Sequence, residues 1–584
     1  MPVVDLAVDR NLLCANFDGY KLSFDAVAVL RQSLQRDPFK LEPHARNQYS
    51  LLHTELFARH NLLFSDPWAR HNCYYVNTAH QLVLCSYDEQ RGQARDQRIV
   101  YEMQLSDHGD GFAHIPGDYN YTLRFISEKY CVLCDGMLSY TLLDTGDRGR
   151  ATTWQLITRT PINQIDPITA SSSCVDFPRG FVLYDARLDI VQERKQISLA
   201  AGHVARRTAA TELQTDVHIM EITWSRWVLD DATWRYDVCV KLETKGSIYY
   251  CAFEPRAQSL ILCSNGELQT EAQREAAKAE EVAQPRAQLQ NGQEQAEETE
   301  QAAYTWTQTE EDVTLRFPLA NHVTCNDVHI NCTQNQLQVE CQSQMLLNAT
   351  LFASVDNELT NWTVEREQLQ LTLSKQQHEH WPRLLDAADE ADSEPERLPI
   401  PNLEDPIEEC DFPLDSASED IKMVRFNLPT NAITHTIFLG AAPPLFVSTL
   451  RPGFPAAFAT RQGSDGAVWL QQFQPARPEE WSVRHEGNLH AFGYVQASKQ
   501  QRKFVDCCPD LDYAVICESY RHVFIYKPRN DSAGGLRNRN GPQVVIGKQN
   551  LVTLDDDVGE VLGLITAPNV ITILTEHAVF YLQV

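Results

Sequence analysis

The residues best equipped for chemistry in this 584-residue chain are its sixteen cysteines and eighteen histidines. Cys131 and Cys134 form a CxxC, Cys507 and Cys508 are adjacent, and His378 and His380 form an HxH. A structural zinc site needs four ligands. A lone CxxC or HxH, with no second pair at zinc-finger spacing, supplies half of one. Most other cysteines, such as Cys85, Cys263 and Cys517, sit inside apolar runs, where a thiol packs as a small hydrophobe. No metal and no cofactor are therefore expected. The chain also has no P-loop, no GxGxxG following a strand, no GxSxG and no HExxH. Triads assembled only in space leave no such trace. On its motifs the chain reads as a binding protein and not as an enzyme.

Recognition is the chemistry that remains, and tryptophan and arginine dominate binding hot spots. The candidates are Trp306, Trp362 and Trp381, with Pro382, Arg383 and Leu384 following the last of them. Trp306 and Trp362 lie within strand-like runs, a position that favours packing over partner contact. Trp381 follows the end of the strand pattern and precedes a proline. It can dock in a partner's groove or fold back onto its own domain, and the residues leave both open.

The elements that must position these residues are strands. Across 304–385, Val313, Leu315 and Phe317 alternate with polar residues, and so do Val328, Ile330 and Cys332. Leu337, Val339 and Cys341, then Leu369, Leu371 and Leu373, repeat the pattern. Every second side chain of a half-buried strand enters the core, so this period predicts a compact antiparallel β-sandwich. Two segments without such a pattern flank it. Residues 266–303 hold nine acids, three bases and no aromatic residue; residues 386–420 hold fourteen acids and one base, a net charge of −13. Neither buries enough apolar surface to offset its ordering entropy, so both are read as acidic linkers, the first disordered and the second extended.

The outer parts, 1–265 and 421–584, repeat a different unit: an apolar strand, a short polar turn and a second apolar strand. It occurs at YYVNTAHQLVLC (74–85), CVLCDGMLSYTLL (131–143), YAVICESYRHVFIY (513–526) and ITILTEHAVFYL (571–582). Around the third copy, HAFGYVQA, KFVDC, YAVICE and HVFIYK fit four strands into 489–527, the size of one propeller blade. One helix is expected near 47–59 (NQYSLLHTELFAR). Two unrelated β-sandwiches are the alternative to a propeller. A partial ring leaves long unpaired edges, whereas closure removes them. The expected fold is thus all-β: a propeller of seven blades formed jointly by the N- and C-terminal parts, with the central sandwich inserted.

YTWTQTEEDVTLRFPL (304–319), NWTVEREQLQLTLSK (361–375) and the closing HWPRLL (380–385) resemble the CS domain of the NudC family. The WPRL ending and the acidic stretch after it also resemble the small acidic CS cochaperone of the ninety-kilodalton heat-shock chaperone. GYVQASKQQRKFVDCCPDLDYAVICESYRHVFIY (493–526) and FDGYKLSFD (17–25) resemble the outer parts of a large member of the NudC family. The resemblance implies a cochaperone-like protein that binds β-propeller clients such as WD-repeat proteins, with or without that chaperone. It also implies association with coatomer subunits, and a static adaptor of coat or cytoskeletal transport complexes is the alternative.

The formal charge of −29 and pI near 5.0 argue against nucleic acid and anionic membrane surfaces as general partners. The first residues lack the basic start and apolar run of a signal peptide, and no stretch reaches the ~20 apolar residues of a membrane span. The expected location is the cytoplasm, with the nucleus as a second compartment. The acidic linkers can steer basic partners or serve as solvated spacers.

Overall fold

The structure is a computed structural model. It describes residues 2–103, 117–137, 139–150, 153–161, 180–207, 217–256, 258–271, 273–274, 304–309, 311–319, 328–342, 344–365, 368–377, 379–381, 383–385, 421–474, 476–529 and 544–584. Residues 275–303 of the first expected linker, 266–303, and all of the second, 386–420, together with His378 and Pro382, fall outside the described residues. The chain divides into two compact units, one of Met1–Glu280 with Asp415–Val584, the other of Glu281–Leu414.

The larger unit consists of seven sheets among its described residues, antiparallel apart from one parallel edge strand. Each runs outward in sequence order from an inner strand, with a strand from the N-terminal segment added at the outer edge of two of them. The inner strands are Phe64–Ser65, Thr122–Phe125, Val182–Val191, Ile248–Phe253, Phe446–Ser448, Arg502–Cys507 and Val561–Ala567. Neighbouring sheets share apolar clusters. Tyr74 and Leu123 belong to one cluster between the first and second sheets, Leu183 and Val132 to one between the second and third, and Trp224 and Phe253 to one between the third and fourth. Met423 and Trp469 join the fourth to the fifth, Val468 and Ile516 the fifth to the sixth, and Val515 and Phe580 the sixth to the seventh. Leu574 and Tyr75 then join the seventh back to the first. Seven sheets with seven shared cores close a ring, which is a seven-bladed propeller. Strands covered on both faces read as continuous apolar runs rather than alternations: Ser259–Ser264 (SLILCS) and Val570–Thr575 (VITILT) are buried at every position.

The fourth sheet is built from both sides of the insertion, because Ser259–Ser264 pairs antiparallel with Ile421–Asn427. The ring closes through the N-terminal residues, which run along the outer edges of four successive sheets. Val4 N–H donates to Thr436 O at 2.8 Å on the fourth sheet, and Asp9 N–H to His485 Nδ1 at 3.1 Å on the fifth. Phe17–Leu22 adds a parallel strand to Val545–Thr553 on the sixth, and Ala28–Ser33 pairs antiparallel with Ala578–Gln583 on the seventh. Val4, Leu6 and Val8 pack on the core between the fourth and fifth sheets, Tyr20 on the next, Val27 on the one after, and Leu30 and Leu34 on the core between the seventh and first. This segment is a strap that covers otherwise unpaired edges.

Two expectations change. HAFGYVQA is not a strand: Phe492–Ala497 is a short helix, entered through Ala491 at φ 52°. Its leading amides are taken up by the preceding turn, Ala491 N–H by Asp465 Oδ1 at 2.7 Å and Tyr494 N–H by Ser464 O at 3.0 Å. A Cβ at Gly493 would lie 2.9 Å from Asp465 O, so this close approach requires glycine. The fourth strand of that blade is Val545–Thr553 instead. Gln269–Thr270, inside the segment expected to be disordered, pairs with Thr233–Thr244. The ion pair of Arg274 with Glu243 at 2.7 Å extends that ordered stretch.

The inner strands surround an axial channel of about 520 Å³. Asp506 lines it, and burial pushes its carboxyl up to about 6 from 3.8, against hydrogen bonds from Thr566 Oγ1 and the Cys507 amide. Because the folded state holds this proton more tightly than the unfolded chain, Asp506 adds stability below about pH 4 and loses it as the pH rises through about 6. Asp506→Asn should therefore gain thermal stability over wild type at neutral pH and show no gain near pH 4, measured by melting across that range. Expressed together as separate chains, 1–280 and 415–584 should purify as one 1:1 complex by light scattering, each alone being insoluble; two soluble monomers that ignore one another would overturn the single ring.

Candidate functional site

The smaller unit is a sandwich of two antiparallel sheets among the described residues. One orders Thr305–Gln308, Asp312–Pro318, Gln368–Lys375 and Val355–Glu365; the other orders Val328–Cys332, Gln336–Cys341 and Gln344–Thr350. The alternation read from the sequence becomes register: Val313 lies opposite Leu373, Leu315 opposite Leu371, and Phe317 opposite Leu369. All six are fully buried in one core. One-residue slippage would turn the whole set to solvent, so the apolar pattern pins the pairing.

The segment after the last strand folds back onto this core. Trp381 is 3 % exposed and belongs to the core with Leu384 and Leu385. Gln308 holds it like a peptide in a ladder: Gln308 Nε2 donates to Trp381 O at 2.7 Å, and Trp381 N–H donates to Gln308 Oε1 at 2.8 Å. Lys375, 4 % exposed, adds Nζ donations to Gln308 Oε1, Thr309 O and Glu379 O at 2.7–2.8 Å and lies 5.6 Å from the Trp381 ring centroid. Phe352 N–H then donates to Leu384 O at 2.8 Å. Of the two positions open to Trp381, the structure shows the one folded back onto its own domain.

Trp306 is likewise buried, opposite Leu315. Burial therefore places Trp306, Trp381 and Leu384 inside the sandwich rather than on a surface. Trp362 is half-buried on the edge strand Val355–Glu365, opposite Leu371, and Pro382 is outside the described residues. Arg383 is half-buried, its guanidinium 5.6 Å from the ring centroid of Phe352, which is 38 % exposed. Phe352 was not among the sequence candidates. Its signal is local: Leu351 and Phe352 are adjacent, so in an alternating sandwich one of the two must face out. Phe352 with Arg383 is thus an accessible aromatic–cation pair on this unit, backed by the buried Trp381 ring 6.1 Å from Phe352.

The cysteine pairs have a structural place. Cys131 faces the core between the first and second blades and Cys134 the core between the second and third, so one strand points them apart. Cys507 and Cys508 divide between two cores in the same way. Burial pushes all four thiols up, Cys508 to about 11, away from the thiolate form that binds metal or attacks.

Residues 302–375 match the CS domain family; the segment that buries Trp381 lies just beyond the matched residues. The whole chain is similar to NudC domain-containing protein 1. It is 25% identical to the mouse protein over 99% of this chain and 98% of that one, and 24% identical to the Xenopus tropicalis protein over 94% and 93%. The crystal structure of Sqt1 from Chaetomium thermophilum aligns with 90% of this chain and 95% of its own, at 10% identity and a TM-score of 0.32. The propeller assignment rests on the seven sheets themselves.

In an excised 302–385 fragment, Trp381→Ala should lower stability by ~3–5 kcal/mol through the cavity it leaves, and Trp362→Ala by ~1–2 kcal/mol. Urea titration checks both. Equal effects would mean that Trp381 is not part of the core.

Proposed function

We propose that the protein is a non-enzymatic, chaperone-like binding protein. Its CS sandwich engages other proteins, and its propeller adds a second binding platform. The observation that carries this reading is the similarity to NudC domain-containing protein 1 along nearly the whole chain, sandwich and ring together. A match confined to the CS domain would speak only for the module. The clients are other β-propellers of the WD-repeat kind, with coatomer subunits among them, and the ninety-kilodalton heat-shock chaperone is the working partner. The protein acts in the cytoplasm and the nucleus. The Phe352–Arg383 pair supplies the accessible contact on the sandwich, an aromatic ring and a cation of the kind that dominates hot spots. The charge of −29 favours encounters with basic client surfaces over acidic ones.

The purified chain should suppress heat-induced aggregation of a WD-repeat propeller in a light-scattering assay. The double variant Phe352→Ala, Arg383→Glu should lose most of that protection while keeping its melting temperature. Pull-downs should change when the heat-shock chaperone's nucleotide cycle is inhibited. Stoichiometric association that ignores the inhibitor, with no protection of the client, would replace this reading with that of a static adaptor.

A further inference from the structure

The axial channel has two unlike ends. The helix Leu51–Arg59 lines the end at which the inner strands begin: Leu52, Glu55 and Arg59 face the channel. Ser247 Oγ donates to Glu55, and the Arg59 guanidinium lies 4.4 Å from the Tyr249 ring centroid. Just after the helix, Asn61 Nδ2 donates to Leu564 O at 2.6 Å. At the far end the channel is rimmed by turns that follow the inner strands, including Trp68, Gly453, Phe454 and Pro509, and Phe454 is 51 % exposed. One end is braced by a helix; the other is an aromatic mouth.

Between them four ion pairs tie up most of the charged side chains, while the carboxylates Asp185 and Asp506 are held by hydrogen bonds alone among the described residues. Arg59 pairs with Glu55 at 3.3 Å, Arg70 with Asp510 at 2.9 Å, and Arg187 with Asp189 at 3.4 Å. Asp66 is held by Arg148 at 2.7 Å. Arg124, on the inner strand Thr122–Phe125, is exposed to the channel and has no ion pair among the described residues. Its Nε donates to Tyr184 O at 2.9 Å, which fixes the plane of the guanidinium. Nη1 and Nη2 donate to nothing among the described residues. Asp185, the nearby carboxylate, is already engaged by the amides of Ala186 at 2.9 Å and Phe253 at 2.8 Å. Desolvation by the channel walls lowers the proton affinity of Arg124, and the charge of Asp185 offsets part of that.

We propose that the channel is a binding site for a carboxylate-bearing ligand, which enters through the Trp68 and Phe454 mouth and docks on Nη1 and Nη2 of Arg124. The free edge of a planar guanidinium matches a carboxylate in a two-pronged hydrogen bond. Asp185 and Asp506 oppose each further negative charge on a ligand, so a monocarboxylate is favoured over a phosphate, which brings nearly twice that charge. A volume of about 520 Å³ falls within the ~300–1,000 Å³ of ordinary ligand pockets. It has room for a small organic acid or a few residues of a chain end.

The full-length protein would be titrated calorimetrically with butyrate, with N-acetyl-Gly-Ala-Leu bearing either a free or an amidated C-terminus, and with inorganic phosphate. Saturable 1:1 binding is expected for a carboxylate probe. Arg124→Gln should weaken it at least tenfold without changing the melting temperature. Arg124→Lys, which keeps the charge and loses the fork, should weaken it severalfold and serves as the test if the first variant does not fold. Tighter binding of the free peptide than of its amide, reduced in Phe454→Ala, identifies a chain end as the source; butyrate binding that is indifferent to Phe454 identifies a small acid. Phosphate binding as tight as carboxylate binding overturns the assignment, as does the absence of saturable binding by either carboxylate probe or carboxylate binding unchanged in the Arg124 variants.

Discussion

The architecture depends on one antiparallel pairing: Ser259–Ser264 against Ile421–Asn427. Glu281–Leu414, between those strands, is a separate unit, and the rest of the described chain, Gln269–Thr270 included, is ring. If that ladder failed, the fourth sheet would be left as two open hairpins and the ring would lose the contacts on either side of it. Both strands are buried at or near their ladder positions, with Leu260, Leu262 and Phe426 in one neighbouring core and Ile261, Cys263 and Met423 in the other. Each strand therefore supplies side chains to two cores at once. That double coverage is what lets a sheet tolerate a whole domain spliced into one of its turns.

The same double coverage explains what could be read from residues alone. Strands sandwiched between blades present unbroken apolar runs, and the four strand–turn–strand units at 74–85, 131–143, 513–526 and 571–582 all stand as hairpins in the structure. The sandwich strands have one solvated face and alternate, so their inward-facing residues followed from the period, while the pairing of Val313 with Leu373 came only with the structure. The helix expected near 47–59 forms at Leu51–Arg59, with Ser50 as its N-cap.

What escaped the sequence belongs to edges and turns. Phe17–Leu22 and Ala28–Ser33 bury few side chains and attach mainly by backbone pairing, which carries no composition signal. Phe492–Ala497 looks apolar enough for a strand, but the turn at Ser464 and Asp465 satisfies its first amides and commits it to a helix. The tryptophans were legible as important, and Trp381 was open to two positions. Only packing shows that its closing segment completes a core and leaves Phe352 and Arg383 at the surface. The Arg124 environment had no sequence signature, because its lining comes from strands far apart along the chain.

The N-terminal strap has a consequence for biosynthesis. Its partners, Val545–Thr553 and Ala578–Gln583, are synthesised more than five hundred residues after it. At roughly 5–20 residues per second, the leading strands wait about half a minute to two minutes before they can pair. During that interval two open sheet edges and a run of half-made blades are exposed to the crowded cell. A nascent chain of this design is itself an unfinished propeller in need of shelter, so it belongs to the class of substrate on which it is proposed to act.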